Sequence, residues 1–354
     1  MIHNFNGGPS ILPPAVLEEA SKAILNFNNS GLSILEIGHR TPLFESVMNE
    51  AISLVKELMN LDDDHEVLFM HGGATVQFME VPMNILNENE TGAYADTGVW
   101  STKAIKEAKL FGNVDVVCSS KDHNYNYIPK DFAIPANASY FHITTNNTIY
   151  GTQWHEIPKV NMPLIADMSS DILSRKMDFN SFGLIFAGAQ KNMGAAGTNL
   201  VVVNKNILGK VKRPIPAIMD YRNHIEAKSM LNTPPVFAIY VSMLTLRWLR
   251  ENGGVEAMEQ LNAQKATMLY NAIDNSKNFK PTAVKEDRSS MNVCFVMEDA
   301  EKEKAFLDFA KQNNIYGIKG HRSVGGFRAS LYNALPLKSV EYLVEKMEEF
   351  EKGI

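Results

Sequence analysis

The sequence predicts an α/β fold in two packed units: residues 1–254 as an N-terminal segment and a large domain on a mainly parallel sheet, and residues 255–354 as a smaller C-terminal α/β domain. Three observations carry this expectation. Short apolar runs alternate with stretches of helical period along the chain, as βα units do. At 354 residues the chain exceeds the size at which a single hydrophobic core stops growing. After the two longest helical patterns the alternation resumes in shorter pieces, which reads as a second, smaller unit.

Each element follows from its residues. After the turn-forming Asn6-Gly7-Gly8-Pro9, Val16, Leu17, Ala20, Ile24 and Phe27 recur at helical spacing, so the spacing predicts a helix over Ala15 to Phe27. A second helix is expected over Leu43 to Met59. Strand and helix then alternate: Val67 to Met70 with Val76 to Leu86, and Gly92 to Ala95 with Val99 to Phe111, followed by a strand over Val114 to Cys118. Further strands are expected at Tyr140 to Ile143, Leu164 to Ala166, Leu184 to Ala187 and Leu200 to Val203, whose continuous apolar runs mark buried central strands. Long helices follow over Val236 to Arg250 and Val255 to Ile273. The smaller unit then takes strands at Asn292 to Val296 and Phe327 to Leu331, and helices at Glu301 to Asn313 and Leu337 to Phe350. No solenoid repeat and no long Gly-, Ser- or Pro-rich linker interrupts the pattern.

Composition narrows the function classes. With 45% hydrophobic and 21% charged residues the chain reads as an ordinary globular protein. Its net charge of -6 argues against nucleic acid as a partner, because phosphate-backbone binders concentrate basic charge on one face. Neither a signal-peptide pattern in Met1 to Pro14 nor an apolar run of bilayer length is present, so the expectation is a cytoplasmic protein without a membrane partner. The 2 cysteines, Cys118 and Cys294, lie far apart without metal or redox spacing, and the 9 histidines are scattered, so no metal site is expected.

One constellation carries chemistry. Leu184 to Gly194 places Lys191 just after a buried strand, among Gly and Ala residues that leave room for a planar ligand. Leu164-Ile165-Ala166-Asp167 delivers a carboxylate to the C-terminal end of another strand, the edge at which open α/β sheets bind ligands. A lysine amine and an aspartate arranged this way suit pyridoxal phosphate, whose pyridine nitrogen must stay protonated for the ring to act as an electron sink. His71-Gly72-Gly73-Ala74-Thr75, between a strand and a helix, offers free backbone N–H groups and a helix dipole for a phosphate. Trp100 opens a helix at the same sheet edge and could stack on the ring. Read one at a time, Asp167 would pass as a helix cap, the Gly-Gly segment as a simple turn and Trp100 as a core anchor.

Taken together, these segments resemble the phosphoserine aminotransferase family, within the class V pyridoxal-phosphate-dependent aminotransferases. The most specific matches are Ala187 to Gly194, Asn232-Thr233-Pro234-Pro235, and Gly320 to Ser330. The resemblance covers nearly the whole chain and implies the pyridoxal-phosphate transferase fold type I, the aspartate aminotransferase-like fold. It implies that Lys191 bonds pyridoxal 5'-phosphate, Asp167 pairs with the ring nitrogen and Trp100 stacks on the ring. It further implies that Thr148 and Gln190 hydrogen-bond the cofactor, and that the backbone at Ala74 and Thr75 holds its phosphate. Asn232 and Thr233 would reach the cofactor phosphate of a neighbouring subunit, so a homodimer with shared active sites is expected. For the substrate, Arg328 matches the family's carboxylate-binding arginine, and His321 and Arg322 match its phosphate-binding pair. His39 and Arg40 match a second basic pair brought across the dimer interface. Thr75 stands where many bacterial relatives carry arginine, so one phosphate contact is missing, and Asn6-Gly7-Gly8-Pro9 replaces a more serine-rich turn.

The activity so implied transfers the amino group of L-glutamate to 3-phosphohydroxypyruvate, giving O-phospho-L-serine and 2-oxoglutarate, with Lys191 moving the α-proton. The same reading allows a second reaction forming 4-phosphohydroxythreonine. The nearest rival, a lyase of the cysteine-desulfurase type, needs a mobile reactive cysteine, and both cysteines fall in apolar strands. A cofactor-free scaffold on the same fold would be colourless.

Overall fold

The computed structural model describes residues 1–353. Its centre is a sheet of 7 strands. In chain order these are β1 (His65–Met70), β2 (Thr91–Asp96), β3 (Asn113–Ser119), β4 (Ala138–Thr144), β5 (Leu164–Asp167), β6 (Leu184–Gly188) and β7 (Asn199–Asn204). Their spatial order is β1-β7-β6-β5-β4-β2-β3. β3, β2, β4, β5 and β6 pair in parallel, while β7 runs antiparallel to both β6 and β1. The reversal has a local cause. Only residues 189–198 link β6 to β7, too few for a crossover helix, so the chain must return beside the strand it left. That short link carries Lys191. Because β7 alone is reversed, the C-terminal ends of the other 6 strands share one edge.

Side chains alternate between the two faces of the sheet, so one strand feeds two cores. Val67 and Phe69 join the core beneath α1 (Pro14–Leu25), α2 (Pro42–Met59) and the long helix of residues 236–251, whereas Leu68 and Met70 join the core beneath α3 (Gly73–Ile85) and α4 (Val99–Ala108). α1 and α2 both start on a proline, which lacks the N–H that a helix start leaves unpaired anyway. α2 stops where Asn60 turns left-handed at φ 49°.

The helix of residues 236–251 is α5 (Val236–Glu251), and α6 (Gly254–Asn275) runs from the first core into the second. There β8 (Phe279–Pro281), β9 (Asn292–Met297) and β10 (Phe327–Ser330) form an antiparallel sheet covered by α7 (Ala300–Gln312) and α8 (Leu337–Lys352). Phe279, Phe306 and Phe327 pack edge to face within it, at centroid distances of 4.9 to 6.0 Å. This second core also takes Phe5, because His3–Asn4 pairs in parallel with Ile315–Tyr316.

A buried polar seam joins the two units. The Lys265 ammonium, inside α6, donates to the carbonyls of Leu331, Tyr332 and Leu335 at 2.8, 2.9 and 3.2 Å. Asn333 N–H donates to Asn192 Oδ1 at 2.9 Å, and the Asn333 amide donates to Leu173 O at 3.0 Å. The neighbour of Lys191 is thereby tied to the segment that follows Arg328. Unpaired, these groups would cost about 1–3 kcal/mol each, so the seam fixes how the units meet.

Candidate active site

The site is assembled at the shared C-terminal edge of the sheet. Asp167 ends β5, and Lys191 sits one strand over, in the single helical turn Ala189–Asn192 after β6. The Lys191 Nζ lies over the Trp100 ring, 5.4 Å from its centroid. Trp100 is held in place by its indole N–H, which donates to Thr148 Oγ1 at 3.1 Å. Thr148 O in turn accepts from Arg328 Nη1 at 3.3 Å. Lysine, tryptophan, threonine and arginine from four separate segments thus face one space.

The electrostatics prepare the pair for opposite jobs. Burial pushes the Lys191 amine below the usual lysine range, against the pull of Asp167 and with help from the positive charge of Arg328. Burial likewise pushes the Asp167 carboxyl up, opposed by the charge of Lys191 and the hydrogen bonds of Ser169. The Ser169 N–H donates to Asp167 Oδ1 at 2.9 Å, and among the described residues nothing donates to Oδ2. That leaves one carboxylate oxygen for a protonated ring nitrogen, which would bring the group back to its ionised form.

The segment expected to cradle a phosphate is a helix start. Gly72 caps α3 in a left-handed conformation at φ 85° and no side chain caps the helix, so the N–H groups of the Gly73-Ala74-Thr75 turn are left for an anion. Asn232 reaches the same region, its amide 3.5 Å from His71 Nδ1. An amine, a carboxylate oxygen without a partner, a flat aromatic wall and an anion-binding helix start on one edge are the donor set that pyridoxal phosphate needs, so the residues fit that group.

Sequence reasoning left the N-terminal turn without a firm contact, and it proves to be a wall of the site. Gly7 lies so close to Arg328 that an added Cβ would sit 2.3 Å from its Nη2, and one at Gly8 would sit 3.2 Å from Lys191 Cγ. The turn is tied down by Tyr332 Oη, which donates to Gly7 O at 2.9 Å, and by Ser10 N–H, which donates to Gln190 O at 2.9 Å. The Ser10 hydroxyl donates to Lys191 O. The two adjacent glycines before a proline were the available signal, but only the fold says against what they press.

His321 and Arg322 lie in the loop before β10, and Val324 of that loop packs with Val99 and Trp100 against Tyr125, Ile149 and Tyr150. His321 is held below its ordinary value by burial first, then by the charges of Arg328, Arg322 and Lys103. The Gln190 side chain has no hydrogen-bond partner among the described residues, and Thr233 is exposed. Among the described residues no hydrogen bond or ion pair joins His39 or Arg40 to this site, and His39 Nε2 is buried without a partner. The thiols of Cys118 and Cys294 are pushed up to about 12 by burial, which leaves no thiolate for a lyase that needs one. A groove of about 760 Å³ between α2 and α6, lined by Glu57, Lys176 and Arg250 among others, has none of this convergence.

Comparison with known proteins identifies the family. The aminotransferase class-V family profile matches residues 2–343. The chain is 56% identical to the phosphoserine aminotransferase of Flavobacterium johnsoniae and 54% identical to that of Bacteroides fragilis, each match covering 99% of both chains. Its fold is similar to the solved phosphoserine aminotransferase of Bacillus circulans subsp. alkalophilus, with a TM-score of 0.97 at 42% identity over 100% of this chain and 99% of that one. It is also similar to the pyridoxal-phosphate-bound phosphoserine aminotransferase of Trichomonas vaginalis, with a TM-score of 0.94 at 37% identity over 98% and 100%. An alanine-glyoxylate aminotransferase from Nostoc, at 14% identity and TM-score 0.77, shares the fold alone.

Proposed function

Since the chain belongs to the class-V aminotransferase family, we propose that it is a pyridoxal-phosphate-dependent phosphoserine aminotransferase, moving the amino group of L-glutamate to 3-phosphohydroxypyruvate to give 2-oxoglutarate and O-phospho-L-serine. The observation that carries this reading is the Lys191 amine, held against the Trp100 ring and electrostatically coupled to Asp167.

Pyridoxal phosphate, when bound, supplies the electron sink that stabilises charge developing at the substrate α-carbon. The chain's own residues do the rest. Lys191 would hold the cofactor through its amine, and the same Nζ would serve as the base that moves the substrate α-proton. An amine kept below its ordinary pKa by burial is suited to that work near neutral pH. Asp167 would hold the ring nitrogen protonated, Trp100 would stack on the ring, and Thr148 and Gln190 would hydrogen-bond the cofactor. The N–H groups at Ala74 and Thr75 would take its phosphate.

Arg328 grips the substrate carboxylate with its planar fork, while His321 and Arg322 face the phosphate or the γ-carboxylate of glutamate. Asn232, Thr233, His39 and Arg40 serve the neighbouring subunit of a homodimer in this reading, which accounts for their lack of contacts with Lys191 in one chain. Among the described residues no helix is long and apolar enough to cross a membrane, in keeping with the cytoplasmic location we assign.

The test is spectroscopic. Protein loaded with pyridoxal phosphate should turn yellow, be bleached by L-glutamate and regain colour with 3-phosphohydroxypyruvate. Recovery with pyruvate or glyoxylate but not with the phosphorylated oxoacid would replace this reading with a transaminase of unphosphorylated substrates.

A further inference from the structure

Lys103 was not singled out by its sequence, and none of the roles assigned above uses it. It lies on α4 one turn after Trp100, and its Nζ stands 4.5 Å from the Trp100 ring centroid. The Lys191 Nζ stands 5.4 Å from the same centroid, so the two amines lie within about 10 Å of each other. Among the described residues no carboxylate pairs with Lys103. The acidic group at the start of its helix, Asp96, is served by hydroxyls instead: Ser101 and Thr102 donate to its Oδ1 at 3.1 and 2.9 Å, and Tyr125 donates to its Oδ2 at 3.3 Å. Val324, in the loop bearing His321 and Arg322, packs against the same cluster of Tyr125, Ile149 and Tyr150 as Val99 and Trp100 of α4 do.

Within one chain His321, Arg322 and Arg328 are the other basic groups at this end of the site, and the homodimer reading adds the His39 and Arg40 pair of a neighbouring subunit. Arg328 answers the substrate carboxylate. His321 is held toward its neutral form by burial and by neighbouring positive charges, including that of Lys103, which leaves Arg322 as the loop's firm charge against a phosphate dianion. We infer that Lys103 is a further specificity-determining residue, whose ammonium beside Trp100 supplies positive potential to the phosphate end of the substrate site and favours dianionic over monoanionic ligands. This rests on the phosphorylated-substrate reading above.

Coulomb energy is linear in ligand charge, so the effect on affinity compounds. An exposed charge changes binding of a monoanion by roughly twofold, hence of a dianion by roughly fourfold, and reversing the charge squares both figures to roughly fourfold and sixteenfold. The lysine is exposed and mid-helix, so Lys103→Gln, Lys103→Glu and Lys103→Arg should fold normally.

Two measurements test this on the cofactor-loaded enzyme. One is calorimetric binding of 3-phosphoglycerate, a phosphorylated three-carbon acid with no amino or keto group to react. The other is KM for L-glutamate. Lys103→Gln should weaken 3-phosphoglycerate roughly fourfold and glutamate roughly twofold, Lys103→Glu roughly sixteenfold and fourfold, and Lys103→Arg should restore both. Raising the salt concentration should shrink these differences. Unchanged 3-phosphoglycerate affinity in Lys103→Glu, or equal losses for the two ligands, would overturn the inference. If wild-type enzyme binds 3-phosphoglycerate no better than glycerate, the phosphorylated-substrate reading itself fails, and the inference with it.

Discussion

Replacing Gly7 with alanine should damage substrate recognition while leaving the fold intact. The new Cβ would meet Arg328 Nη2 at 2.3 Å, Cζ at 2.6 Å and Nε at 3.0 Å. Carbon contacts settle at about 3.5 Å, so something must retreat by about 1 Å. The turn is pinned by Tyr332 Oη on Gly7 O and by Ser10 on Gln190, whereas the guanidinium is the far end of a long side chain, tied by one hydrogen bond of 3.3 Å to Thr148 O. Arg328 therefore yields. Gly7 does not need a left-handed φ, so alanine adds no backbone strain and the stability loss should stay within about 1 kcal/mol. A guanidinium displaced by about 1 Å forfeits much of its charge-assisted grip on the substrate carboxylate, worth about 1.5–3 kcal/mol, or roughly ten- to a hundredfold in kcat/KM for both L-glutamate and O-phospho-L-serine. Steady-state kinetics with each substrate, alongside a thermal unfolding curve and the visible spectrum, checks this. Wild-type kcat/KM in a normally folded Gly7→Ala protein would refute the placement of this turn against Arg328, and a large Tm loss would refute the argument that the guanidinium is what moves.

Asp167→Asn should keep the cofactor bound through Lys191 yet lose turnover by roughly a hundredfold or more, because an amide cannot hold the ring nitrogen protonated; cofactor content by absorbance and kcat separate the two effects. Glu80, buried in α3 with Oε2 accepting from Gln77 at 2.6 Å and Oε1 without a partner, is pushed by burial from 4.5 up to about 8. The folded state then binds more protons than the unfolded one between those two values, so stability should fall as pH rises from about 5 to 8, by a few kcal/mol. Glu80→Gln should flatten that slope in urea unfolding at pH 5.5 and 8.5, and an unchanged slope would show that Glu80 is not its source.

The sheet was legible because its strands are continuous apolar runs: Leu184 to Ala187 and Leu200 to Val203 are the cores of the observed Leu184–Gly188 and Asn199–Asn204. The reversed direction of the latter was not, since direction depends on the length of the Lys191 link rather than on the strand's own residues. Two-residue strands such as His3–Asn4 carry no alternation, so the packing of Phe5 into the second core had no sequence signal. At the site, Asp167 and Lys191 stood out because each follows an apolar strand directly. Gly7, Gly8, Ser10 and Lys103 did not, because what they touch is 90 or more residues away for all but Lys103, and Lys103 is an ordinary helical lysine until Trp100 and the residue 321 loop are placed beside it.

Every role proposed above depends on Lys191 being the amine that bonds the cofactor. Borohydride reduction of the loaded protein followed by trypsin digestion and mass spectrometry tests this directly, because a modified Lys191 resists cleavage. The expected result is the phosphopyridoxyl group on an uncut peptide spanning residues 177–205, and no label in Lys191→Ala. Label on Lys103, Lys265 or any other lysine, or label that persists in Lys191→Ala, would contradict it.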